Sequence, residues 1–210
     1  MKEFFIEAGQ QLLLLLPALP AVLWTISAHR AARAWAAAKM GDTTAASAGL
    51  VTMNPMVHLD GLGFIALWIF HFGWSKPLPL NLRNFRQPRR ALACIGLVGL
   101  IANLLSAELF AVIIQCVLSY DRALFFTNIG LRQVLLSFVV MNVNFFVFNL
   151  LPLPGLAGID ILCALLPVKC QGIVRVLERY SFFILWGLIY FGMIEKVMRP
   201  ITSMILSFMI

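Results

Sequence analysis

Long apolar runs separated by short polar or basic breaks make up most of the chain. Gln11 to Ile26, Ala91 to Leu118, Val134 to Leu151 and Tyr180 to Met193 each approach, with their flanks, the roughly 20 residues that a bilayer-spanning helix requires. They predict spans over about 11–38, 91–118, 131–152 and 179–198. A further apolar stretch, 57–74, opens on His58, Asp60, Gly61 and Gly63. Such a polar-led, glycine-broken segment suits a re-entrant hairpin shielded by protein, with a true span as the alternative. Ala45 to Asn54 mixes small, β-branched and apolar residues, and a short strand is expected there. Pro77 and Pro79 exclude helix from Phe72 to Asn81 and allow a second extended piece, which could pair with the first. Pro152 and Pro154 break the helix that runs up to Leu151. The backbone groups freed there must be satisfied by protein or line a cavity, so the break is a candidate site.

Composition agrees with this pattern. Of 210 residues, 61% are hydrophobic and only 12% charged, against about 25% charged in soluble domains. The expectation is an all-α integral membrane protein, a single membrane domain over 1–210 without a sizeable soluble part or a low-complexity linker. No small-residue cleavage site follows the first apolar run, so a cleaved signal peptide is not expected. Cys94, Cys116, Cys163 and Cys170 form no C-x-x-C pair and read as small buried hydrophobes. The net charge of +7 would suit nucleic acid in a soluble protein. Here the basic residues cluster between apolar runs, as at Arg30, Arg33 and Lys39, at Lys76 to Arg90, and at Lys169 to Arg179. That is the positive-inside pattern, so the expected partner is the anionic lipid surface and not nucleic acid, with the basic loops facing the cytoplasm.

Three strings narrow the class. They are Lys39-Met40-Gly41-Asp42, then Asn54-Pro55-Met56-Val57-His58-Leu59-Asp60, and a long one from Phe72-Gly73-Trp74-Ser75-Lys76-Pro77-Leu78-Pro79-Leu80-Asn81 through Arg83-Asn84 to Pro88-Arg89-Arg90. Together they closely resemble small bacterial site-2 proteases, zinc metalloproteases that cut inside the membrane. The resemblance runs from the first helix to near Tyr180. It implies a site-2-protease-like helix bundle in the bacterial inner membrane, with short extended segments. It also implies a site near the cytoplasmic side and a substrate that is another protein's transmembrane helix.

In that family two histidines of H-E-x-x-H and the aspartate of an N-x-x-P-x-P-x-L-D-G string hold one zinc, and the glutamate activates its water. Histidines four apart share one helical face, and three protein ligands leave a fourth position for a water whose pKa falls to about 7. In this chain the corresponding strings are Ser27-Ala28-His29-Arg30-Ala31-Ala32-Arg33 and Asn149-Leu150-Leu151-Pro152-Leu153-Pro154-Gly155-Leu156-Ala157-Gly158. His29 matches the first ligand, Arg30 stands at the base, Arg33 at the second histidine and Ala157 at the aspartate. A guanidinium stays protonated and has no lone pair for a metal or a proton, and alanine offers no ligand. Leu100 stands where the family usually has a proline, and Asn103 matches a polar position of the next helix.

The reading is a non-catalytic homologue, with no catalytic residue and no zinc cofactor expected, that binds or scaffolds another transmembrane protein through the former substrate cleft. Two alternatives belong to other classes. One is an active protease with rearranged ligands drawn from His29, His58, His71 and Asp160, and the other is a structural subunit of a larger membrane complex. Charges inside a membrane are costly, so Arg30 and Arg33 should snorkel or find partners, with Asp160 the first choice. An arginine–carboxylate link would then replace the metal between the two motif helices. His58, Asp60, Asn103 and Asn149, with Pro152 and Pro154, complete the candidate partner-binding or structural set.

Overall fold

The computed structural model describes residues 16–63, 75–153, 156–166, 176 and 179–209. A 3-10 turn at Leu16–Ala18 leads into α1 (Leu19–Lys39), followed by the single turns α2 (Thr44–Ser47) and α3 (Pro55–His58). Next come α4 (Pro88–Tyr120), the short α5 (Arg122–Thr127) and α6 (Ile129–Leu150). The chain continues through α7 (Ala157–Leu165), α8 (Ser181–Tyr190) and α9 (Met193–Met209). Among the described residues the fold is all-α, and no strand is formed. Among the described residues two helices, α4 and α6, are long and apolar enough to cross a membrane, with mean hydropathies of 2.3 and 1.7.

Helix boundaries follow local chemistry. Pro88 opens α4 at the first position, where a missing N–H costs nothing. Asp121 ends α4 and accepts from the Leu124 amide at 2.9 Å, and Asn128 accepts from the Leu131 amide at 3.0 Å. Each caps the next helix and so turns the chain back on itself.

The central helix is α4, which packs against α1, α6 and α7. Ala21, Ala28, Ala34, Ala36 and Ala37 are buried on α1, and such small residues let helix backbones approach closely. Trp24 of α1 meets Phe110 of α4 and Phe138 of α6 edge-on at 5.6 and 6.2 Å, while Phe110 and Phe138 stack at 4.0 Å. Each such ring pair contributes about 0.5–1.5 kcal/mol beyond its buried area. Deeper along the same interface, Ala107, Ala111 and Ile114 pack on Val139, Val143 and Val147, and α9 covers them with Met198, Ile201 and Ile205.

The turn after α1 is tied to the long motif by one carboxylate. Asp42, with no exposed surface, accepts from the Thr44 amide (3.1 Å) and hydroxyl, from the Asn81 amide (2.7 Å) and from Asn84 Nδ2 (2.8 Å). Burial alone would raise its pKa, but these hydrogen bonds outweigh burial and hold it below the usual carboxylate value. Gly41 makes the approach with φ +110, a value that disfavours any side chain. The Gly41-Asp42 and Asn81-Leu82-Arg83-Asn84 strings are therefore two halves of a structural clip.

The strand expected over Ala45 to Asn54 is corrected. Its first residues belong to the helical turn Thr44–Ser47, because Asp42 holds Thr44 and because Gly49, at φ +73, closes the turn. Extended pairing is limited, among the described residues, to one antiparallel bridge between Leu59 and Ser75, beside which the Lys76 amide donates to the His58 carbonyl at 3.1 Å. The 179–198 stretch is divided at Phe191-Gly192, where Gly192 takes φ +63 between α8 and α9. Most of the proposed re-entrant segment, residues 64–74, lies outside the described residues.

Candidate functional site

The two motif strings meet on α4. His29 of α1 is 3% exposed, and its Nδ1 lies 2.7 Å from Asn103 Oδ1 on α4. Asn103 Nδ2 donates to the Thr25 carbonyl and to Asn142 Oδ1, both at 3.1 Å, and Asn142 Nδ2 donates to the Phe138 carbonyl at 2.8 Å. Backbone carbonyls can only accept, so they orient both amides and leave Asn103 Oδ1 facing the imidazole. Nδ1 must then carry the hydrogen, and in the neutral ring Nε2 keeps the lone pair. Nε2 is buried and, among the described residues, has no hydrogen-bond partner. The Phe145 ring stands edge-on to the imidazole at 5.2 Å. An outer partner that holds a histidine by one nitrogen so as to aim the other is the support that metal-ligating histidines require.

The neighbours on the same helix are different in kind. Arg30, 8% exposed, donates from Nη1 to Ser75 Oγ at 3.0 Å, while its Nε has no partner. Arg33 lies one turn further, and its Nη2 stands 3.7 Å from Asp160 Oδ2 on α7, an ion pair beyond hydrogen-bond length. Its Nε is likewise buried without a partner. Arg33 and His29 both depend on Gly99, since a Cβ there would lie 2.7 Å from Arg33 Cγ and 2.8 Å from His29 Cε1.

The second string forms the other wall. After α6 the chain reverses so tightly that a Cβ on Gly158 would fall 2.2 Å from the Leu150 carbonyl oxygen, so only glycine fits. Ala157, fully buried, packs against Gly96 of α4, where an added Cβ would sit 3.0 Å from its own. Arg89 donates to the Cys163 and Leu166 carbonyls, the latter at 2.7 Å, and so caps the C-terminus of α7. Asn149 donates to the Phe145 carbonyl (2.9 Å) one turn back in its own helix, and Pro152 is exposed at the break.

Of the remaining candidates, His58 lies on the Arg30 side, next to the Leu59–Ser75 bridge that presents Ser75 to Arg30. His58 is fully buried, with Nε2 at 2.9 Å from the Thr52 carbonyl. Asp60 accepts from the Gly63 amide at 2.8 Å, as a helix-capping residue does. Pro154 and His71 lie outside the described residues. Thus His29 and Asn103 form one cluster, Arg33 and Asp160 form a second, and Arg30 is held by Ser75. The roles of Ser75, Arg89, Gly96 and Gly99 were not foreseen. Only glycine spacing on α4 hinted at the last two.

A tetrahedral zinc needs at least three nitrogen, oxygen or sulfur donors from the protein. Of the residues that the resemblance aligns with zinc and its water, His29 alone presents a lone pair, between two guanidinium side chains and an alanine. Among the described residues no group of three His, Cys, Asp or Glu side chains could hold a metal ion. These residues do not fit a zinc ion.

No family model and no solved structure matches the chain. It is 33% identical over 177 residues to the Bacillus subtilis (strain 168) protein named "Putative zinc metalloprotease YwhC", an alignment covering 83% of this chain and 80% of that one. That similarity, over most of both chains, shows that the chain belongs to the site-2 protease-like family of zinc metalloproteases.

Proposed function

We propose that this chain is a membrane-embedded family member that does not cut peptide bonds and instead holds a transmembrane segment of another protein in the former substrate cleft. The observation that carries this reading is the presence of Arg30 and Arg33 beside His29, with Ala157 opposite. A permanently protonated guanidinium cannot take a proton from water, and two of them oppose a dication most strongly where the dielectric is low. The apolar α4 and α6 support a membrane location, and the basic loops support a cytoplasmic orientation of that face.

Metal analysis of the purified protein tests the chemistry. Zinc far below one equivalent is expected, with no change in His29→Ala. Stoichiometric zinc that depends on His29, or a cleaved transmembrane substrate, overturns the reading. Co-purification from native membranes in mild detergent tests the binding role, and a membrane protein retained at a fixed ratio is the expected result.

A further inference from the structure

We infer that Arg30 and Arg33 form a receptor for one carboxylate, the Asp or Glu side chain of the transmembrane segment held in the cleft. This rests on the binding role proposed above and names its chemistry. Arg30 is 8% exposed and, among the described residues, makes a single hydrogen bond, to the neutral Ser75 hydroxyl. Among the described residues Arg33 has only the 3.7 Å approach to Asp160, and the Nε groups of both arginines are buried without partners. Spaced three apart on α1, the two side chains emerge on one helical face.

Charge and shape then select the ligand. Among the described residues one carboxylate, Asp160, stands beside Arg33, while Arg30 turns to a neutral hydroxyl, so the two guanidinium groups carry one positive charge more than the carboxylate beside them. Burying a charge without its complement is strongly unfavourable, and a single added carboxylate restores neutrality. A guanidinium fork matches the two oxygens of a carboxylate, and hydrogen bonds between ionised groups are about twice as strong as neutral ones. His29 adds no donor, because its Nδ1–H is committed to Asn103 and its Nε2 holds a lone pair. The anion must therefore be taken by the arginines. A small side-chain carboxylate reaches so enclosed a group more readily than the bulkier headgroup of a phospholipid.

The test uses the full chain in phosphatidylcholine nanodiscs and two labelled Leu/Ala transmembrane peptides of about 20 residues. They differ only in one Glu or Gln near the cytoplasmic end. The Glu peptide is expected to bind about tenfold more tightly, and the preference should vanish in Arg30→Gln/Arg33→Gln. Arg33→Lys, which keeps the charge and loses the fork, should retain part of it. Equal binding of both peptides by the unaltered protein overturns the carboxylate receptor while leaving the cleft as a binding site. Failure of either peptide to bind overturns both ideas. A Glu preference that persists in the double variant places the recognition elsewhere. Its loss when phosphatidylglycerol replaces phosphatidylcholine assigns the arginines to lipid phosphate. Both results overturn the proposal.

Discussion

Asp42 and Arg33 are both charged side chains packed against protein, and their surroundings differ. Asp42 has no exposed surface and receives hydrogen bonds from Thr44, Asn81 and Asn84. Arg33 has a carboxylate at 3.7 Å and an Nε–H that meets no acceptor among the described residues. Burial of a charge is tolerated when each lone pair or proton is matched. A fully matched charge holds a loop in place. An incompletely matched one, at the position that the family uses for its chemistry, is the group that the proposed receptor assigns to a ligand. The relay from His29 through Asn103 to Asn142 sits between these extremes, because it is complete on one side of the imidazole and open on the other.

Mutation can break this contrast. Asp42→Ala strips the partners from Thr44, Asn81 and Asn84 at once, and a loss of about 2–4 kcal/mol is expected in equilibrium unfolding. Acidification removes part of the same contribution. The folded pKa of Asp42 lies below its unfolded value of about 4. Its stabilisation is therefore complete above that value and is lost as pH falls through the folded pKa. Unfolding curves of Asp42→Asn should lack that acid-dependent part. Asn103→Leu leaves the His29 Nδ1–H and Asn142 Oδ1 unmatched, for an expected loss of about 1–3 kcal/mol in thermal or denaturant unfolding.

Arg33→Gln should show the smallest stability effect, because no hydrogen bond is lost and Asp160 is a quarter exposed. A double-mutant cycle with Asp160→Asn is expected to give a coupling of about 1 kcal/mol or less. A coupling of several kcal/mol would make the arginine a structural strut like Asp42 and would erase the distinction.

Much of the fold was legible from patterning, and less of the site. Proline announced where one helix stops, at the Pro152 break just past Leu150. The strand expected at Ala45 to Asn54 failed because a single aspartate, bonded across to Asn81 and Asn84, imposed a helical turn on residues whose own preference is mixed. Ser75 and Arg89 gave no sign of their contacts. Each binds a group distant in sequence, the one Arg30 and the other the end of α7.

By itself the amino-acid sequence determined the all-helical character and the residue types at the motif positions. A long apolar run satisfies its own backbone hydrogen bonds when it is helical, and an arginine is a cation wherever it is placed. Only the tertiary structure decided that His29 is tied to Asn103, that Arg33 approaches Asp160 while Arg30 turns to Ser75, and that Gly99 admits the first two to the surface of α4. Those pairings depend on helix rotation and closeness of approach. Apolar periodicity leaves both open when lipid and protein interior are equally apolar.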